Sequence, residues 1–422
     1  MDQAYQLAKQ RYATWGIDTD AAILQALNIP VSLHCWQADD NVGFERRAGE
    51  VAGGGILATG NHPGRARTGD EMRADLATAM SLIPGITRVN LHSYYAEFAG
   101  PAVDRDQLTP AHFEKWMVWA AERKIALDFN ASFHAHPLAE SGYTLSSADE
   151  KVRQFWIRHA RAARQIAQAM AIRQGSPCHI NFWIPDGAKD LPSDRWSPRT
   201  RLAQSYDAIF ADESIDSTRC LDFVESKLFG IGSEEYVVGS AEFYTNYALS
   251  RKIGLCMDMG HYHPTETIHD KISGHLPFQR KLLLHVSRPL RWDSDHVVIF
   301  NDDLRSIFLE VARGQAWDRT VFALDFFDAS LNRVAAYVIG TRATRKAALY
   351  ALLDPTAQLR AAEQAGNHAR KLALMDEMKT MPFGAVWDML CARASVPAGT
   401  DWIDKMEQYE QLIVAQRTAP AR

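Results

Sequence analysis

Cysteine is scarce in this 422-residue chain, and no two cysteines stand in a CxxC pair. The five present (Cys35, Cys178, Cys220, Cys256, Cys391) are odd in number and far apart, and most sit in apolar runs. A disulfide scaffold and a structural zinc site are therefore excluded, and reduced, buried thiols in a cytoplasmic protein are expected. No apolar stretch reaches the roughly 18 residues a membrane-spanning helix needs. The opening Met1-Asp2-Gln3-Ala4-Tyr5-Gln6 lacks the apolar core of a signal peptide. There is also no Lys/Arg-rich run. With 46 basic against 51 acidic residues the formal charge is −5, which argues against a nucleic-acid or anionic-membrane partner. A GxGxxG after the first strand is missing too, and the glycines at 53–55, 60 and 64 lack the GK[ST] ending of a phosphate loop.

What is present is alternation. Short β-rich runs at 31–36, 88–92, 125–130, 179–184, 220–227, 253–259, 281–287 and 321–328 are separated by helical patterns. In the segment Lys151–Gln174, Val152, Phe155, Trp156, His159, Ala163, Ile166 and Met170 recur at spacings of three and four, which predicts an amphipathic helix. Eight strands alternating with helices predict an α/β protein with parallel strands, and eight is the number that closes a (β/α)8 TIM barrel; an open doubly wound sheet is the alternative. Residues 1–353 read as the barrel with an N-terminal helical lead-in, and 343–353 as its last helix. From Asp354-Pro355, an N-cap followed by proline, to 422 the chain reads as a helical C-terminal extension suited to oligomerisation. Trp402, Met406, Tyr409 and Ile413 form an apolar stripe there.

Side chains alternate across a strand. On one face lie Leu221, Phe223, Glu225 and Lys227; then Gly254, Cys256 and Asp258; then Leu283 and His285; then Ala323 and Asp325. The earlier strands offer Ser32, His34 and Trp36; Asn90 and His92; Asp128 and Asn130; Asn181 and Trp183. Charged and aromatic residues gather at the C-terminal strand ends, where barrel enzymes build their sites. Isolated charges facing a dry core would cost several kcal/mol, so these residues must satisfy one another, water or a metal.

Glu225, Asp258, His285 and Asp325, on consecutive strands, form an oxygen-rich set suited to Mn²⁺, Mg²⁺ or Co²⁺. His261 and the pair Asp293 and Asp295 lie just beyond, and a D-x-D pair in a loop can serve a second ion. Lys227 can polarise a carbonyl oxygen. Taken singly, a strand-end Asp or His is as often a cap or an anchor as a ligand; the joint pattern on four strands favours a metal site. Trp36 and Trp183 are either core filler or sugar-stacking walls.

The stretches His34-Cys35-Trp36-Gln37, Val224–Gly232, Asp258–Glu266, His285–Pro289, Arg291–Val297 and Leu324–Ser330 closely resemble the L-rhamnose isomerase family, and the similarity runs nearly end to end. The resemblance implies a barrel related to xylose isomerase, a homotetramer, and interconversion of L-rhamnose and L-rhamnulose in rhamnose catabolism. It implies two divalent ions per subunit, typically Mn²⁺, with Co²⁺, Mg²⁺ or Zn²⁺ as substitutes. Glu225, Asp258, His285 and Asp325 would hold a structural ion that also binds substrate. His261, Asp293 and Asp295 would hold a catalytic one. Lys227 would assist at the carbonyl, Asp325 or a water beside it would handle the hydroxyl proton, and His92 would help open the ring. Trp183 would line the pocket, as Trp36 would on the stacking-wall reading. The chain departs from the family pattern after the third strand, where Ala131 and Ala135 replace an expected proline and serine. Rival readings are an isomerase of another deoxysugar, a metal-dependent hydrolase and a non-catalytic sugar binder.

Overall fold

The apolar runs form eight parallel strands: β1 (Val31–His34), β2 (Thr87–His92), β3 (Ala126–Ser132), β4 (Cys178–Trp183), β5 (Cys220–Glu225), β6 (Gly254–Asp258), β7 (Leu282–Val286) and β8 (Thr320–Leu324). Each pairs with its sequence neighbour, and β8 pairs with β1 through Val31 opposite Phe322, so the sheet closes into a barrel. The computed structural model describes residues 2–45, 58–228 and 235–417. The glycines at 53–55 and residues 229–232 of one resemblance stretch lie outside them.

The predicted strand faces are confirmed by packing. Phe223, Cys256, Leu283 and Ala323 form their own buried cluster beneath the site, apart from the main core between strands and helices. Gly254 belongs to this arrangement because a Cβ there would fall 2.4 Å from the Phe223 ring. The opposite half of the lumen is polar. Asp128 accepts from Ser32 Oγ (2.7 Å) and from Arg88 Nε and Nη2 (2.9 and 2.7 Å), and its Oδ1 lies 2.8 Å from His179 Nδ1. Burial would raise this carboxyl, but Arg88 and His179 outweigh it and hold the pKa far below the carboxylate range. Asp128 is thus an anchor of the barrel interior.

Most strands end a little earlier than their apolar runs, and the ends of β1 and β8 shape the site. β1 stops at His34 and Cys35–Gln37 turns as a 3₁₀ segment; β8 stops at Leu324, so Asp325 stands just beyond the sheet. The helix expected at 151–174 runs from Glu150 to Gln174. It is capped by Asp149, which accepts from Lys151 N, and ends at Gly175 with φ +65°.

The last barrel helix, Arg333–Leu352, is longer than the sequence suggests and buried nearly all round. It lies against the N-terminal helix Thr19–Asn28 and the later helix Phe383–Arg393 as well as the barrel. The next helix begins at Thr356. Asp354, expected as its N-cap, instead accepts from the Thr356 hydroxyl and pairs with Arg313. On the final long helix, Asp401–Leu412, Met406 is buried in the main core with Trp402 and Tyr409 packed beside it, while Ile413 is exposed.

Candidate active site

Because β5 to β8 run parallel and in register, their C-terminal ends converge. Asp258 lies opposite His285 in the ladder. His285 Nδ1 is 3.1 Å from Glu225 Oε1, 3.1 Å from Asp325 Oδ2 and 3.7 Å from Asp258 Oδ2. Ligand atoms of Glu225, Asp258, His285 and Asp325 all lie within 4.8 Å of one another, a spacing that suits a metal ion. Asp258, His261 and Asp293 form a second such group that shares Asp258 with the first. His261 bridges the two, with Nε2 3.1 Å from Asp293 Oδ2 and Nδ1 3.3 Å from Glu225 Oε1. Asp295 lies outside these groups, yet its carboxyl is raised by burial and by the charges of Asp293, Asp325 and Asp258.

The electrostatics are those of anions crowded together. Asp258 is pushed well up by burial and by the surrounding carboxylates, against the pull of His261. Glu225 goes the other way: burial raises it, but the positive charges of His285 and His261 prevail. Both imidazoles would be lowered by burial and are instead raised by their acidic neighbours. His285 Nε2 and Asp293 Oδ1 are buried without a hydrogen-bond partner among the described residues. Five carboxylates around two imidazoles, with orphaned ligand atoms, fit a bound divalent cation.

Sequence reasoning did not foresee Gly260, whose backbone N donates to Asp258 Oδ1 (2.6 Å) and whose missing side chain makes room for Asp293. Nor did it foresee Cys256 as a neighbour of Glu225 and His285 close enough to share a metal.

Facing the acids is an aromatic wall from the other strand ends. Trp183 stacks 6.3 Å from His261, and the Lys227 Nζ sits 5.6 Å over the Trp183 ring while donating to Pro185 O. Trp36 is buried, donates from Nε1 to Asp325 Oδ1 (3.0 Å) and meets His92 edge-on at 4.6 Å. His92 stacks on Tyr94, its Nδ1 lies 2.9 Å from Ser132 Oγ, and burial, helped by His134 and Arg105, holds its pKa well below the ordinary histidine value. The structure thus links Trp36, His92, Trp183, Lys227 and Asn181 to the acids by contact, whereas Ser32 and Asp128 anchor the lumen, Asn130 donates to Asn90, and His34 turns to the loop after β8. His34 contacts Phe326 O, and burial brings its pKa down to about 4.

Comparison with known proteins agrees with this geometry. Residues 1–417 match the family described as "L-rhamnose isomerase (RhaA)". The chain is 53% identical over 418 residues to a Rhodopirellula baltica protein named L-rhamnose isomerase, covering 99% of this chain and 97% of that one. It is 51% identical to a relative of the same name from Klebsiella pneumoniae and 52% identical to one from Escherichia coli. Each match spans 417 residues and covers 99% of both chains. The chain belongs to the L-rhamnose isomerase family.

Proposed function

We propose that this protein interconverts L-rhamnose and L-rhamnulose by moving one hydrogen between C2 and C1 of the open-chain sugar. The observation that carries the reading is the meeting of two metal-suited groups with an aromatic wall at one end of the barrel. Glu225, Asp258, His285 and Asp325 would hold one divalent ion, and His261, Asp293 and Asp295 a second, with Mn²⁺ the natural occupant and Co²⁺, Mg²⁺ or Zn²⁺ as substitutes. Ions held there would supply Lewis-acid stabilisation of the negative charge that develops on the sugar oxygens.

The protein's own groups account for the remaining tasks. Lys227 would donate to the carbonyl oxygen, a role its burial beside Trp183 supports. Asp325 is oriented by the Trp36 indole and is the group to relay the hydroxyl proton. His92 would assist ring opening as a neutral imidazole that hydrogen-bonds the sugar, because burial disfavours its charged form. Trp36 and Trp183 offer flat apolar faces to the sugar carbons and exclude water from the reacting bond. We assign a hydride shift rather than an enediol route, because ions held by these two groups would stabilise the developing charge without a base that removes the C2 proton.

Purified protein should convert L-rhamnose to L-rhamnulose, lose the activity in EDTA and regain it with Mn²⁺. Absence of conversion with metal bound would overturn the assignment. In D₂O the product should carry no solvent deuterium at the transferred position; substantial incorporation would sink the hydride shift. We further propose a cytoplasmic homotetramer. The five buried free cysteines and the exposed Trp196, Phe278 and Leu372 support this reading. Sedimentation should give about 189 kDa, four times 47.3 kDa, and a monomer mass would refute the assembly.

A further inference from the structure

Ala131 lies within β3, paired with Phe182, and the loop that follows, which carries Ala135, is held more firmly than its composition suggests. Ala135 has φ +50°, a left-handed conformation that a non-glycine residue adopts only under constraint. The constraint is Arg105, which is 1% exposed. Its Nη1 donates to Ser132 O (2.8 Å) and His134 O (2.6 Å), its Nη2 donates to Ala135 O (3.4 Å), and its guanidinium pairs with Glu45. His136 fastens the far side: its Nε2 lies 3.0 Å from Asp104 Oδ1, and its Nδ1 accepts from Leu138 N.

Between these clamps His134 is turned into the aromatic wall. Its ring lies edge-on 5.8 Å from His92, 5.7 Å from Trp183 and 5.6 Å from Tyr94. The residue is buried, and its Nδ1 has no hydrogen-bond partner among the described residues. Burial, together with the charge of Arg105, brings its pKa down to about 3, so the ring is neutral and carries one donor and one acceptor. Contacts run in a closed circuit from His261 through Trp183, His134, His92 and Trp36 to Asp325, then through His285 and Glu225 back to His261. In that circuit His134 stands across from the acids. A sugar held by two oxygens at the acidic side must extend its other end toward the wall on β2 to β4.

We propose that His134 hydrogen-bonds the hydroxyls at the end of the open-chain sugar remote from the carboxylates, and so helps decide which aldoses this enzyme accepts. The inference rests on the proposed isomerase reading. A buried imidazole nitrogen left without a partner is costly in the free protein and is satisfied when a hydroxyl arrives. A neutral imidazole matches a hydroxyl in both donor and acceptor roles. An additional terminal hydroxyl, as in L-mannose, which is L-rhamnose with an oxygen on C6, would find a partner there.

The test compares wild type, His134→Phe and His134→Gln on L-rhamnose and L-mannose, with metal content and thermal unfolding measured for each. The phenyl ring keeps the wedge between Trp183 and His92 but offers no polar atom. His134→Phe should raise KM for L-rhamnose about tenfold with kcat changed less than threefold, and raise KM for L-mannose further. His134→Gln, which retains a donor and an acceptor, should recover most of the L-mannose activity. An unchanged KM and an unchanged preference in His134→Phe would overturn the proposal. So would equal losses in both variants, which would make the ring a structural wedge. If the phenylalanine variant fails to fold, His134→Leu is read in the same way. Failure of the wild type to convert L-rhamnose refutes the isomerase reading, whereas conversion with insensitive variants refutes only the role of His134.

Discussion

A Cβ at Gly260 would fall 2.1 Å from Asp293 Oδ1 and 3.2 Å from Asp258 Oδ1, and no rotation of the methyl avoids both acids. The backbone there is not left-handed, so an alanine meets no conformational penalty and its effect is purely steric. Gly260→Ala should displace Asp293 by about an ångström, enough to cost on the order of 100-fold in kcat. Metal content should fall with it, read by elemental analysis; wild-type turnover with full metal would contradict this placement. Asp39 makes a second prediction, about pH. Its buried carboxylate accepts from Tyr95 OH and Gly43 N, each at 2.7 Å, but burial prevails and raises its pKa from 3.8 to about 7. The folded state therefore holds this proton after the unfolded chain has lost it, and stability falls as pH rises from about 4 to 7. The interval caps the loss at roughly 4 kcal/mol. Asp39→Asn mimics the protonated form, so it should unfold like wild type at pH 4 and at a higher temperature than wild type at pH 8. Parallel Tm–pH curves for the two proteins would count against it.

Among the elements, helix Arg333–Leu352 shows most plainly where patterning stops being informative. A surface helix declares its buried face by periodicity, but this one is covered on several sides, so its apolar residues show no stripe. The sequence accordingly suggests only its C-terminal half. Its buried Arg345 has no acidic partner among the described residues. The guanidinium instead donates to Ala26 O, Ile29 O and Ile86 O, joining the end of helix Thr19–Asn28 to the entries of β1 and β2. Burial lowers its pKa to about 10, which leaves it charged at neutral pH. Arg345→Met should cost about 3 kcal/mol or more, because it strands the buried carbonyls of Ala26 and Ile29. The fall should appear as a lower urea midpoint at an unchanged slope, and a midpoint equal to wild type would remove this role. The strands were far more legible. Period-two alternation placed Glu225, Asp258 and His285 on one face, and the barrel needed only that count of eight to bring them together. What alternation cannot report is distance across the chain: Arg88 against Asp128, Arg105 clamping the loop after β3, or the space that Gly260 leaves for Asp293.

At the scale of the whole molecule, the acidic cluster is also a fastening. Glu225, Asp258, His285 and Asp325 come from four successive strand ends, so an ion among them ties half the barrel rim together. Without a cation, the carboxylates repel one another, and burial together with that repulsion raises the pKa of Asp258. A ligand that binds only the folded state stabilises it by RT ln(1 + [L]/Kd), about 4 kcal/mol at a thousandfold excess over Kd. Removing metal with EDTA should therefore lower the unfolding temperature by several degrees at neutral pH, and added Mn²⁺ should restore it in a concentration-dependent way. The effect should shrink as pH falls toward 5, because protonation of the most crowded acids relieves the repulsion and competes with the ion. Asp325→Asn, which removes one charge from the rim without changing its size, should narrow the gap between the chelated and Mn²⁺-loaded curves. Coincident unfolding curves with and without Mn²⁺ would mean that the two imidazoles alone neutralise the rim, and that the ion serves chemistry without supporting the fold.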